Sequence, residues 1–559
     1  MRRWVRAASR TKSIQQIRAD LAHEGGGDSL QKVLSRVDIV AYGIGSMVGA
    51  GIFVTVGSAA QQAGPAITLS FILAATCCFF TALCYGEFAS RVPVAGSAYI
   101  YVYAVLGEFA AWLVGWNLIL EYTVATSAVA RGWSSNVVFL FSQFNVEVPE
   151  WTYAIHVGGG RLDLLAAFLF VSLTLLVLLG VKESATVNLI SVCLCVGVIS
   201  FVIIFGAFHI TPSNWTADPP PGLVPSGCDA GGYFPCGAKG VIATAGYLFY
   251  SFIGFDCVTA LSEEVRNPTK DIPFGIVFTL GTVSLLYIGS TFVLTGMVPW
   301  YALDPNTAMA SAFDTLGFRW ASILVSVCTV VTVTVCTLCG IIGQPRILYG
   351  IAKDGLMPRA LAHLSKRTKE PDVGTVATGL LGSLLALFVE LDTLVNVTSL
   401  GTLNIYAVVC AGVVLLRVES PKHPAAPGIL LGVLTCGSLL LGVCVGQGLP
   451  VPVVVVAGVA VVGPIVAMAT LPRTPPPADT YTCPLIPFVP MLGMAITLYL
   501  SAFFTPVVYE SYAIWLVVGA IVWAAYGVRK SKLVDSLQHS ASTVDSDVRN
   551  PLLDTMSVN

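Results

Sequence analysis

Charge is what this chain has least of. Asp, Glu, Lys and Arg together make up 11% of its 559 residues, less than half the usage of an ordinary soluble domain. That scarcity excludes a water-soluble globular protein. The net charge of −2 gives no basic footprint, so no nucleic-acid partner is expected. The histidines form no His-x-x-x-His pair, the cysteines no double Cys-x-x-Cys set, and no phosphate-binding Gly-x-x-x-x-Gly-Lys loop occurs. No metal, cofactor or catalytic residue is therefore expected, and an ATP-driven pump is excluded. Cys336-Thr337-Leu338-Cys339 has the spacing of a metal or redox pair, but it lies within an apolar run, where thiols pack as small hydrophobes.

Apolar sequence is abundant. Hydrophobic residues make up 55% and the mean hydropathy is +0.81, enough to divide into spans of about 20 residues. Fourteen are expected, at 38–59, 66–86, 106–130, 164–181, 187–210, 240–259, 274–298, 319–343, 374–390, 396–416, 429–447, 452–471, 486–506 and 512–528. The fold class is an all-α polytopic membrane protein whose partners are the bilayer and a small molecule. With a cytosolic N-terminus, all but four of the 29 Lys and Arg fall on the cytosolic side. The four are Arg131, Arg161, Lys239 and Arg319. This is the positive-inside pattern, and an even span count returns the C-terminus to the cytosol.

No loop is long enough for a further domain. Residues 1–37 are Arg-rich but also carry Asp20, Glu24 and Asp28, and no cleavable apolar core follows, so they read as a retained cytosolic tail. Cys228 and Cys236 share the loop 211–239 on the opposite face, as either a disulfide or two free thiols. Asn214-Trp215-Thr216 in that loop is an N-glycosylation acceptor sequence.

Two spans carry irregularities that a simple crossing helix avoids. Gly43, Gly45, Gly49 and Gly51 interrupt the first, and Gly254-Phe255-Asp256 interrupts the sixth. Each glycine weakens a helix by about 0.8–1 kcal/mol relative to Ala. One cluster alone reads equally well as close helix packing. Two clusters five spans apart suggest a five-plus-five inverted repeat, whose broken helices meet at a binding site. The division expected is a core over 38–418, a four-helix extension over 419–528, and a tail over 529–559.

Backbone at such breaks offers amides to an anion and carbonyls to a cation. Gly49, Ala50, Gly51 and Ile52 are assigned to a substrate carboxylate. Met47, Tyr250, Ser251 and Ile253 are assigned to an ammonium. Acids within spans are costly and usually functional. Glu121, deep in the third span, either pairs with a cationic side chain or carries a proton. Glu108 and Glu87 lie toward helix ends, where a structural role is expected. Asp256 and the charged loop from Glu263 to Pro273, with Glu264, are candidates for gating through pairing with Arg346 or Lys353.

Several stretches in sequence order resemble the cationic amino acid transporter family of the amino acid–polyamine–organocation superfamily. They are Gly49-Ala50-Gly51-Ile52-Phe53, Pro93-Val94-Ala95-Gly96-Ser97-Ala98-Tyr99, Gly180-Val181-Lys182-Glu183-Ser184 and Gly254-Phe255-Asp256. Glu263-Glu264-Val265-Arg266-Asn267-Pro268, Gln344-Pro345-Arg346 and Lys353-Asp354-Gly355-Leu356-Met357-Pro358 follow. The last four spans are similar to that family's C-terminal extension. The resemblance implies sodium-independent transport of arginine, lysine and ornithine by alternating access. Tyr301-Ala302-Leu303-Asp304-Pro305 looks most like plant members, several of them vacuolar, and Leu552-Leu553 is similar to a vacuolar sorting signal, so the vacuolar membrane is expected, with the plasma membrane as the alternative. Bacterial relatives place a lysine linked to proton coupling where this chain has Cys195. A thiol cannot replace that ammonium, so uniport, exchange or coupling through Glu121 remain. Neutral amino acids, γ-aminobutyrate or polyamines on the same scaffold, and a transport-dead sensor, are the competing expectations.

Overall fold

The computed structural model describes residues 34–531 except 50, 93–96, 158–159, 181–184, 221–227, 229–231, 261, 263, 366–369 and 478–479. Ala50 and most of both expected tails lie outside the described residues. Helices dominate. In chain order they are α1 (Arg36–Val48), α2 (Ile52–Ala63), α3 (Ile67–Arg91), α4 (Ser97–Val105) and α5 (Glu108–Gln143). A small hairpin, β1 (Ile155–Val157) and β2 (Gly160–Leu162), pairs antiparallel before α6 (Leu164–Leu178) and α7 (Ala185–Ala207). Then come α8 (Gly237–Leu248), the one-turn α9 (Cys257–Ala260), α10 (Pro268–Met297), α11 (Ala308–Thr315) and α12 (Arg319–Lys353). The remainder are α13 (Asp372–Phe388), α14 (Leu391–Arg417), α15 (Ala426–Gly446), α16 (Val451–Ala469), α17 (Phe488–Leu500) and α18 (Pro506–Val522).

Ten helical segments among the described residues are long and apolar enough to cross a membrane, and three shorter apolar helices accompany them. The span expected at 38–59 is divided between α1 and α2. Helix α12 runs ten residues past its expected end at 343, carrying Pro345 inside it.

The chain enters α1 through a capping box. Asp38 N donates to Ser35 Oγ, and Ser35 N donates to Asp38 Oδ2 at 2.9 Å, satisfying two otherwise orphaned donors. Parallel pairing of Leu34 with Val265 holds this entrance, with Leu34 N donating to Glu264 O at 3.0 Å. Arg131 closes the end of α13, giving Nε to Ala386 O and Nη2 to Leu387 O, each at 2.8 Å. A cation at a helix C-terminus complements both the orphan carbonyls and the dipole.

Helix α5 runs through the middle, packed along α12 and α14; α3 and α10 form a second layer, and α1 lies against α10 and α7. Helices α17 and α18 add to this core through α14, while α15 and α16 pair mainly with each other. Glu87 ties α3 to α14 and to the segment before α17. Fully buried on α3, it accepts from Arg91 Nη2 (2.6 Å), Arg417 Nη1 (3.0 Å) and Cys483 N (2.9 Å).

Candidate substrate site between two interrupted helices

The two interruptions differ in kind. After α8 the chain tightens into a 3-10 turn over Phe249–Phe252, extends at Ile253 (ψ 136°), and reaches Gly254 at φ +118°. Only glycine takes that conformation without strain. The first interruption is slighter. Gly49 keeps helical angles (φ −61°, ψ −41°), while Gly51 departs from them at ψ −78°.

They meet backbone against backbone. Ser46 Oγ donates to Gly254 O at 3.0 Å, and the hydroxyls of Thr55 and Ser251 lie 2.9 Å apart. A methyl on Gly51 would come within 2.7 Å of Ser251 O, so only glycine permits this approach. Tyr250 sends its hydroxyl to Ala125 O on α5 at 2.9 Å. Sequence expectation and structure part at two atoms. Gly51 N was expected to be bare, yet it donates to Met47 O at 3.2 Å, because the chain stays close to helical here. Met47 O also accepts from Tyr287 OH at 3.0 Å. Gly49 faces α12, where an added Cβ would lie 3.1 Å from Cys336 Sγ.

Glu121 projects from α5 into this centre. It is fully buried, and neither carboxylate oxygen has a hydrogen-bond partner among the described residues. Asp256, just beyond the second interruption, is as deeply buried, and its carboxylate is faced only by the backbone amides of Gly254, Asp256 and Cys257 among the described residues. The two act on one another electrostatically, with Thr402 beside Glu121 and the rings of Tyr85 and Tyr406 next to both. The hydroxyls of Tyr85 and Tyr406 also have no hydrogen-bond partner among the described residues. Two acids in so dry a place require a positive neighbour, either a proton or a cationic group.

The remaining expected residues serve elsewhere. Glu108 accepts from Ser531 Oγ (2.7 Å) and Tyr103 OH (3.2 Å). Arg346 pairs with Glu370 at 3.6 Å rather than with the loop at Glu264. That loop is instead fastened to the entrance of α1, through Leu34 and through an ion pair between Arg36 and Asp271. Cys195 lines a small cavity behind the first interruption together with Asn188, Ser191, Thr332 and Cys336. Cys228 and Cys236 are joined in a disulfide. Asn214 gives its Nδ2 to Gly296 O at 2.8 Å, a bond that uses one of the two hydrogens on that nitrogen. Sequence reasoning missed Tyr287 and Thr55. A tyrosine in the middle of α10 was the available signal for the first; nothing flagged Thr55.

A sequence model of the amino acid permease family matches residues 34–496, and one for the C-terminus of that family matches residues 481–531. The chain belongs to the amino acid permease family. Among its relatives, a human protein named cationic amino acid transporter 4 is 39% identical over 408 residues, which are 72% of this chain and 62% of that protein. A vacuolar cationic amino acid transporter 2 of Arabidopsis thaliana is 30% identical over 614 residues, covering 96% and 94%. The branched-chain amino acid permease BcaP of Bacillus subtilis is 32% identical over 529 residues, covering 94% and 98%. The resemblance carried by the motifs is thus borne out. This permease is a multi-pass helical membrane protein of amino-acid transport, in a family whose named substrates vary from member to member.

Proposed function

We propose that this permease is a secondary transporter that carries cationic amino acids (arginine, lysine and ornithine) across a membrane by alternating access. The observation that carries this reading is the pair Glu121 and Asp256, buried beside the joined interruptions with no cationic side chain against them among the described residues. A guanidinium or ammonium side chain supplies the positive charge that this pair needs.

The substrate's backbone is assigned to the interruptions. Its α-carboxylate goes to the amides from Gly49 through Ala50 and Gly51 to Ile52, at the start of α2, where the helix dipole favours an anion. Its α-ammonium goes to the carbonyls of Met47, Tyr250, Ser251 and Ile253. Because Gly51 N and Met47 O already satisfy each other, a zwitterion can enter by exchange, its carboxylate taking the amide and its ammonium the carbonyl. No buried polar group is then left unpaired by binding. Asp256, Glu264 and Arg346 belong to gating, with Arg36 and Asp271 closing the cytosolic entrance in the state described.

The reading includes fourteen crossings, a five-plus-five inverted repeat over 38–418, a four-helix extension over 419–528, and cytosolic tails at 1–37 and 529–559. The vacuolar membrane is the proposed location, supported by the vacuolar relative in Arabidopsis. A second reading, carriage of neutral amino acids with a proton held between Glu121 and Asp256, is supported by the similarity to a branched-chain permease.

The test is radiolabelled arginine uptake into liposomes holding the purified protein, with and without a pH gradient. Leucine, γ-aminobutyrate and agmatine serve as competitors. Saturable arginine uptake that ignores the gradient is expected, in keeping with Cys195. Leucine flux driven by the gradient, without arginine flux, would move the reading to the neutral carrier. Binding of arginine with no flux of any competitor would make the protein a sensor.

A further inference from the structure

Helix α18 meets the core along one narrow face, with Trp515, Leu516 and Val522 packed against it. Val508, Tyr512 and Gly519 are its buried residues, while Ile514, Val517 and Ile521 are exposed. In a bilayer, apolar area gives little drive for one helix to stay on another, because lipid chains solvate it equally well. Polar contacts to α5 hold it instead. Trp112 Nε1 donates to Gly519 O at 2.9 Å and Trp116 Nε1 to Trp515 O at 2.8 Å. Trp515 Nε1 returns a bond to Trp116 O at 3.3 Å, and the two indoles stack with centroids 4.5 Å apart. Asn117 Nδ2 donates to Tyr512 OH at 3.0 Å. Gly519 makes room for this, since a Cβ there would collide with the Trp116 ring. Separation of the helices would strand three donors of α5 in hydrocarbon, where each lost bond is costly.

These contacts end one turn short of Glu121. Asn117 precedes it by four residues and so lies on the same face of α5. The ring of Tyr512 also approaches α14 at Gly401, where an added Cβ would meet it at 3.7 Å. The next residue, Thr402, stands beside Glu121. Tyr512 therefore bridges α5 and α14 just outside the carboxylate pair.

We infer that α18 braces α5 and that Tyr512 is a positioning residue for Glu121, an inference that rests on the cationic reading above. Tyr512 touches no substrate. It fixes where Glu121 stands relative to Asp256 and hence how well a cationic side chain is held. Neutral amino acids, which do not use Glu121, are indifferent to it.

The experiment is uptake of arginine and leucine by reconstituted Tyr512→Phe, which keeps the ring but leaves Asn117 without its acceptor. Ile514→Ala, on the lipid-facing side of the same helix, is the control. Tyr512→Phe is expected to raise the KM for arginine at least threefold with kcat within twofold, leaving leucine competition and the control unchanged. Asn117→Ala removes the same bond from α5 and should match it, which keeps the test open if the first variant fails to fold. An arginine KM unchanged in both variants, or shifted equally for leucine, would overturn the inference alone. A wild-type protein that takes up no arginine would overturn the cationic reading and this inference with it.

Discussion

The hydroxyl of Ser46 donates to the carbonyl oxygen of Gly254 across 3.0 Å, joining the first interrupted helix to the second where φ reaches +118°. An alanine at Gly254 meets two obstacles. Its backbone conformation costs about 1–3 kcal/mol for any residue with a Cβ, and that Cβ would lie 3.0 Å from Ser46 C and O. Gly254→Ala is expected to reach the membrane in normal amount and to lose at least tenfold in arginine uptake. Uptake within twofold of wild type would remove this junction from the site.

Glu87 gives a prediction about stability rather than transport. It holds Arg91, Arg417 and the amide of Cys483 at once. Truncating one partner of a buried ion pair typically costs about 3–5 kcal/mol, because the other charge is left uncompensated. Arg417→Ala should lower the heat-denaturation midpoint in detergent, and Glu87→Ala combined with Arg417→Ala should cost less than the sum of the two single changes. Strict additivity, followed by size-exclusion profiles after heating, would show that the clasp does not act as a unit.

Asp163 predicts a pH dependence outside the membrane. It caps α6, accepting from Ala166 N at 2.8 Å and Ser134 Oγ at 2.9 Å. Burial pushes its carboxyl up to about 6, against the pull of these bonds and of Arg131. A group raised in the folded state binds its proton more tightly there than in the unfolded chain. Its stabilising contribution is complete below the ordinary carboxylate value near 4 and is lost as pH rises through 6. Heat stability should therefore fall between pH 4 and 6 by at most about 3 kcal/mol from this group. Asp163→Asn, which can still cap the helix, should flatten that stretch of the profile. An unchanged slope would assign the pH dependence to other groups.

The two interruptions and the buried acids of the candidate site are legible because membrane helices tolerate few exceptions. Glycines in mid-span marked Gly51 and Gly254, and an acid in mid-span marked Glu121. What escaped was set by contacts between distant segments. Tyr287 OH on Met47 O and the Thr55–Ser251 pair depend on which helices cross, and one sequence does not state that. The loop at Glu264 reads as a charged gate that pairs with Arg346 or Lys353 in one state and releases in another; in the structure Arg346 pairs with Glu370. The loop's partners, Leu34 and Arg36, lie at the start of α1, in a stretch that reads as the end of a solvated tail. The first interruption was expected to be wider than it is. Glycine lowers the cost of leaving the helix without compelling the chain to leave, and Gly51 keeps its bond to Met47.

The measurement that bears most directly on the central claim is arginine uptake by Glu121→Gln, expressed and reconstituted at the wild-type level, with leucine as competitor. The amide keeps the shape of the carboxylate and removes its charge. If Glu121 and Asp256 together hold a cationic side chain, arginine uptake should fall by tenfold or more and the preference over leucine should vanish. Full uptake with the preference intact would contradict the account and leave Glu121 as a buried acid with no part in selecting the substrate.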